Sequence, residues 1–359
     1  MKKLLNDFFD RYFHDEESII LLILLTVGLA LLVLLGGVMW PLIAAVVIAY
    51  LLHGLVTLLL RYGLSALIAF AAVYTLFISI FLLLLLYLLP QAWTQLRRLV
   101  NEFPNLLNVW QEALMALPEN YPIFSETQVR TFIDGLGGEI GGLGQTILEF
   151  SLASLPSVFA WVILLVLVPI LVFFMMKDHD QLVQWVGNFL PRNRPLMNRI
   201  WKEMDQQISN YIRGKVVEIL IVGGTAWGLF VVLDINYALL LSVLVGLSVI
   251  VPYIGATAVT LPVAAVAYVQ WGLGGEFTTV MIAYLGLQII DGNVLVPVIF
   301  SEAVNLHPVA IIAAVLVFGG IWGLAGVFFA IPLATLIKAI INAWPSRISR
   351  ASTEQEAEA

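Results

Sequence analysis

The chain has 359 residues, of which 61% are hydrophobic and 11% charged, with a formal net charge of -7 and a mean hydropathy of +0.99. A soluble domain carries about 25% charged residues, so these values exclude a water-soluble globule and predict an all-α, polytopic membrane protein. The absence of cysteine excludes a disulfide frame, a thiolate nucleophile and a cysteine metal site.

Residues 1–17 carry Lys2, Lys3 and Arg11 among five acids. The apolar run that follows, to residue 39, is about 20 residues, enough for a bilayer core of roughly 30 Å. No small-residue cleavage site follows it, so the stretch reads as a retained span at 18–39 and not as a cleaved signal. Trp40-Pro41 is expected to break it, with a second span over 41–60 forming a tight hairpin closed by Arg61-Tyr62-Gly63. A third span, 65–89, should end at Pro90, completing an N-terminal membrane segment over residues 1–90.

Residues 91–154 differ in kind. Trp93, Leu96, Leu99, Phe103, Leu106, Trp110, Leu114 and Leu117 recur at steps of three and four, the mark of an amphipathic helix. After Pro118-Glu119-Asn120-Tyr121-Pro122, a second such stretch carries Val129, Phe132, Ile133, Leu136, Ile140, Leu143, Ile147 and Leu148, with GxxxG spacings at 137–142. The pair predicts a helical hairpin outside the bilayer, its apolar face packed either on itself or on other subunits.

Span four is 155–176. The basic segment 177–215 holds seven of the chain's 17 cations: Lys177, Arg192, Arg194, Arg199, Lys202, Arg213 and Lys215. It is cytoplasmic by the positive-inside rule, whereas residues 90–155 carry three cations against seven acids and belong outside. Both termini then fall in the cytoplasm. Sparse aromatics and the tether to the membrane favour anionic lipid headgroups over nucleic acid as the neighbour of this segment.

The last membrane region is 216–345, before a polar tail at 346–359 expected to be disordered. From 216 to 337 there is no Lys or Arg, yet Glu218, Asp234, Glu276, Asp291 and Glu302 lie there. An acid at membrane depth is costly, and it usually faces an aqueous path or binds a cation itself. Residues 237–271 and 308–343 are each too long for one upright span. Val251-Pro252-Tyr253-Ile254-Gly255 divides the first; the glycines from Gly319 through Gly323 to Gly326, with Pro332, divide the second. A further cluster, Asp291-Gly292-Asn293 running to Pro297, is also expected to interrupt a helix. Paired discontinuous helices are the pattern of secondary transporters.

Asp291, Asn293 and Gln288, one turn earlier, are the candidate ion or solute ligands; the turn at Pro252, Tyr253 and Gly255 would supply backbone contacts. Asp291 could instead cap a helix, and the turn could simply join two spans. Glu302 and His307 bracket a short loop that is either solvated or part of the path. Glu218, one turn into span five, could pair with Arg213 or Lys215, and with Gly214 between those two cations the group has a structural role. His14, His53, His179 and His307 form no HExxH or i,i+4 pair, and no P-loop is present, so no enzyme, cofactor or metal site is expected.

Several motifs in order resemble the autoinducer-2 exporter family, in its PerM-like permease branch, over roughly residues 1–345. They are Phe173-Phe174-Met175-Met176-Lys177-Asp178, Gln207 with Tyr211-Ile212-Arg213-Gly214-Lys215, Val251-Pro252-Tyr253-Ile254-Gly255-Ala256, Asp291-Gly292-Asn293 to Pro297, Asn305-Leu306-His307-Pro308 and Phe329-Ala330-Ile331-Pro332. The resemblance implies about eight membrane segments in the bacterial inner membrane, homo-oligomers such as pentamers, and export of small molecules. Some relatives are described as exporters of autoinducer-2, others as sodium/proton antiporters. The reading that follows is a permease for a small polar solute, autoinducer-2-like by resemblance and cation-coupled. A sodium/proton antiporter, a passive oligomeric channel and a non-transporting scaffold are the alternatives.

Overall fold

The computed structural model describes residues 16–115, 127, 155–191, 194–252, 254–300 and 306–343. Most of the second half of the expected extracytoplasmic hairpin, Tyr253, Glu302 and the tail lie outside these residues. Every regular element described is helical: α1 Glu16–Arg61, α2 Ala66–Leu83, α3 Leu89–Met115, α4 Leu155–Lys177, α5 His179–Gly187, α6 Pro195–Val232, α7 Ala238–Ser248, α8 Ile254–Trp271, α9 Gly275–Ile290, α10 Val296–Phe300, α11 Pro308–Trp322 and α12 Leu324–Ala343. Among the described residues six helices are long and apolar enough to cross a membrane, and four shorter apolar helices accompany them. Apolar side chains as open as Val232 (82% exposed) and Leu67 (77%) would be untenable across so much surface in water, but suit a face turned to lipid. The protein is an all-α polytopic membrane protein.

Three expected breaks are continuous helix. No gap in helical structure falls at Trp40-Pro41; α1 runs through Pro41. Apolar sequence on both sides leaves the backbone no partner but itself in lipid, which outweighs the roughly 3 kcal/mol an internal proline costs. Nor do Pro90 and the cluster at 291–297 end helices. Pro90 and Pro297 each follow a π turn, Leu84–Leu88 and Asp291–Leu295. The two are spaced alike, since one residue separates each turn from a proline, Pro90 and Pro297. A proline removes one N–H and pushes on the carbonyl four residues back. Widening the preceding turn shifts the register: Leu89 N–H reaches the Leu84 carbonyl and Val296 N–H the Asp291 carbonyl, five residues back. The helix thus passes the proline without stopping.

Two compact units divide the chain: 1–74 with 168–215 and 300–359, and 75–167 with 216–299. In the first unit α1 is anchored twice on one stretch of α6. Near its start Glu17 Oε1 accepts from Met197 N at 2.8 Å, and Leu21 packs with Met197, Ile200, Met204 and Ala339. Near its end Tyr50 OH donates to Asp205 Oδ1 at 2.7 Å. Glu17 and Tyr50 lie about 50 Å apart in a straight helix, whereas Met197 and Asp205 are about 12 Å apart on α6. Helix α1 therefore bends sharply between its anchors, where Gly36-Gly37 and Pro41 stand in the sequence. The two arms expected of a hairpin survive without a break in helical winding.

Also in this unit, α11 and α12 form a tight pair. His307 Nδ1 accepts from Val309 N at 3.3 Å with Pro308 at the first helical position, a cap that accounts for the His-Pro motif. Gly323 turns the chain with φ of 60°. A Cβ on Gly326 would land on the Phe318 backbone, so the helices touch there with nothing between them.

In the second unit the core gathers Val222, Ala226, Phe230, Leu241, Val245, Val263, Val280 and Tyr284. Helices α6 and α7 cross at Gly223 and Gly246, where a Cβ on Gly246 would sit 3.0 Å from Gly223 Cα. The link between them is pinned by side-chain amides. Gln270 donates from Nε2 to the Asp234 carbonyl and accepts from Asn236 N through Oε1, both at 2.8 Å. Gln95 Oε1 on α3 accepts from Leu240 N at 2.8 Å, and Tyr237 OH donates to Glu102 Oε2. The amphipathic helix α3 therefore serves as a cap for the start of α7. Gln270→Leu removes two bonds at once and should cost about 2 kcal/mol, taking about 1 for each. A lowered midpoint of thermal unfolding in detergent checks this, and an unchanged midpoint contradicts it.

Candidate functional site

The sequence-selected turn at 251–255 separates α7 from α8 as expected. Its N–H groups are used locally: Gly255 N donates to the Val251 carbonyl at 3.0 Å and Ile254 N to the Pro252 carbonyl at 2.7 Å. Each carbonyl keeps a second lone pair. Gly255 is buried and has no substitute, because a Cβ there would run into the Ser248 carbonyl that ends α7. Ser248, also buried, turns its hydroxyl back to the Val245 carbonyl at 2.7 Å.

Asp291 is buried (8% exposed) and occupies the first position of the second π turn. Such turns occur often at functional positions, because the widened winding displaces side chains from the regular helical face. The three expected ligands do not share one set of bonds. Gln288 Nε2 donates to Tyr284 OH at 2.8 Å, and the exposed Asn293 donates from Nδ2 to the Ile289 carbonyl at 2.9 Å. Asn293 therefore ties down a backbone group at the π turn.

Gln288 leads instead to a polar chain. The Tyr284 hydroxyl lies 3.2 Å from Thr260 Oγ1 and 3.3 Å from the Ala256 carbonyl, which Thr260 Oγ1 also reaches at 2.8 Å. Tyr284 is 0% exposed, and its ring stands beside that of Phe230. The chain runs from α9, one turn before Asp291, to the first turn of α8, one residue past Gly255. It thereby connects the two motifs that the sequence selected separately. Tyr284 and Thr260 were not among the expected site residues. Their signal is spacing: Tyr284, Gln288 and Asp291 fall at i, i+4 and i+7, on one face of a helix.

The structural residues other than Glu218 lie in the first unit. Pro332 is buried within α12 and has no N–H to offer the Phe328 carbonyl four residues back. Tyr211 OH donates to that carbonyl at 3.1 Å in its place. Two motifs distant in sequence, Tyr211 to Lys215 and Phe329 to Pro332, meet in that bond. Lys215 is 5% exposed, with Nζ 5.3 Å from the centre of the Phe300 ring, within cation–π range. The Arg213 guanidinium lies over Gly54 of α1. Gly214 and Glu218 are buried on α6 as well, Glu218 at 2% exposure. Gly319 packs on Val327, whose Cγ2 would be 2.8 Å from a Cβ added there.

The sequence profile described as AI-2E family transporter matches residues 19–346. "Putative permease PerM" of Escherichia coli (strain K12) is 45% identical to this chain over 346 residues, 96% of this chain and 98% of the relative. "AI-2 transport protein TqsA" of the same strain is 26% identical over 322 residues, 88% of this chain and 90% of that protein.

Proposed function

This chain belongs to the AI-2E transporter family, a family of membrane permeases, and on that premise we propose that it is a secondary transporter exporting a small polar solute in exchange for a monovalent cation. The observation that carries the reading is Asp291, buried at a π turn within 122 residues that contain no Lys or Arg. A carboxylate so placed can exchange between a proton and a metal cation. Gln288, Tyr284 and Thr260 continue the polar line to the broken turn, where the Pro252 carbonyl offers a free lone pair. Asn293 shapes the π turn. Tyr253 and Glu302 complete the proposed path from the sequence alone. A solute of the autoinducer-2 type is the first to try, on the name of the 26% identical relative.

The membrane is the bacterial inner membrane, with both termini cytoplasmic. In support, Glu17 near the start and Ala339 near the end of the described chain both pack at Met197 to Met204, within the cation-rich segment. The protein works as a homo-oligomer, and chemical cross-linking in native membranes tests this.

The deciding experiment uses proteoliposomes holding wild-type or Asp291→Asn protein. A sodium gradient is imposed and internal pH followed with a dye, in parallel with accumulation of labelled autoinducer-2. Wild-type protein should accumulate solute uphill under a cation gradient, and Asp291→Asn should fall to the protein-free background. Equal rates would remove Asp291 from the path. Sodium-dependent pH change without solute movement would favour the antiporter, which the buried acid also supports. Downhill flux alone would mean a passive pore.

A further inference from the structure

Helix α5 has nine residues and begins two positions after Lys177, where the apolar helix α4 ends. Leu182, Val183, Trp185 and Val186, with Phe189 just beyond its end, fall within an arc of about 160° at 100° per residue, while Asp180, Gln181 and Gln184 take the opposite side. The apolar side chains are open, from 42% exposed at Leu182 to 69% at Phe189. The Trp185 and Phe189 rings meet edge to face at 5.0 Å and form one broad aromatic wedge. At the far end Arg194 Nη1 donates to the Gly187 carbonyl at 3.1 Å, which places a guanidinium beside the last turn. At the near end the His179 ring stacks on His53 of α1 at 4.1 Å, fixing the helix to the unit that carries it.

The surroundings specify the occupant of this face. Seven cations stand in 177–215 against four acids, Asp178, Asp180, Glu203 and Asp205. A tryptophan-bearing apolar face joined to the end of a membrane helix and flanked by cations matches an interfacial helix and not a core element. We propose that α5 lies in the plane of the cytoplasmic leaflet, with Trp185 and Phe189 at the acyl boundary and Lys177, Arg194, Arg199 and Lys202 on the headgroups of anionic phospholipid. Lys177 is suited to this, since its Nζ stands 5.9 Å from the Phe173 ring and can turn outward along the helix end. The inference concerns a lipid-binding anchor and holds whatever solute the protein moves.

The lack of cysteine makes the test direct. Full-length Val183→Cys and Gln184→Cys each give one labelling site for an environment-sensitive dye. Both proteins are reconstituted in phosphatidylcholine vesicles with brominated acyl chains, with or without phosphatidylglycerol. The Val183 label should emit at shorter wavelength, lose intensity to brominated lipid and resist iodide; the Gln184 label should do the reverse. Phosphatidylglycerol should deepen the loss at Val183, and Arg199→Glu with Lys202→Glu should cancel that gain. Equal iodide access at both positions would overturn the proposal. So would a Val183 label indifferent to bromine but cross-linked to another copy, which would make the face a subunit contact. No response to phosphatidylglycerol would overturn the headgroup assignment.

Discussion

Gly255→Val is expected to prevent the chain from accumulating as folded protein. The added Cβ would strike the Ser248 carbonyl, with the carbonyl carbon 2.7 Å and Ser248 Cα 3.1 Å away. These are backbone atoms at the end of α7, so relief requires α7 and α8 to separate, and both carry core residues of the second unit. Overpacking of a core costs about 1–3 kcal/mol when side chains can move aside, and more when they cannot. Gly326→Val should behave alike, since Phe318 and Gly319 backbone atoms fill its space. Gly54→Ala is the control. What it meets is the end of the Arg213 side chain, which can swing away, so its cost should be far smaller. Yield of monodisperse protein by size exclusion measures all three. A wild-type profile for Gly255→Val would contradict the close approach.

Tyr284→Ala is the second large effect. The side chain is wholly buried in the core of the second unit, and deleting a buried aromatic ring costs about 3–5 kcal/mol. Tyr284→Phe separates packing from polarity. It keeps the ring but leaves Gln288 Nε2 without its acceptor, at about 1–3 kcal/mol if no water replaces the hydroxyl. Thermal unfolding should rank wild type above phenylalanine above alanine. Flux should fall in Tyr284→Phe even where the protein is folded, because the hydroxyl joins Gln288 to Thr260. If Tyr284→Phe matches wild type in both measurements, the hydroxyl is neither a structural nor a transport group.

Hydropathy alone exposes most of the fold, because in lipid a long apolar run has almost no choice but helix. The Pro252–Gly255 break is legible because it pairs a residue that cannot continue a helix with one that tolerates the turn, and the Gly323 break because its glycine sits in a run of glycines that favours positive φ. Pro41, Pro90 and Pro297 were misleading. A proline marks a lost N–H, but not whether a bend, a widened turn or a neighbouring hydroxyl compensates. Pro332 makes the point, since the group that answers its missing bond, Tyr211, is more than a hundred residues away. The site shows a similar limit. Asp291 stood out as an acid in cation-free sequence, whereas Tyr284 looked like one aromatic among many until its hydroxyl met Gln288 and Thr260.

The first unit is made of three separated lengths of chain, 1–74, 168–215 and 300–359. During synthesis α1 must enter the membrane long before α6 exists to hold its two anchors, and α12 arrives later still. At about 5–20 residues per second, the ribosome needs roughly 6–25 seconds to pass from residue 74 to residue 200, and about 5–20 seconds more to reach the third length. For that interval α1 has neither Met197, Asp205 nor Ala339 to pack on. The nascent chain therefore depends on lipid or on the insertion machinery to shelter its first helix, and substitutions along the anchored face of α1 should be felt as failed biogenesis before they are felt as lost transport.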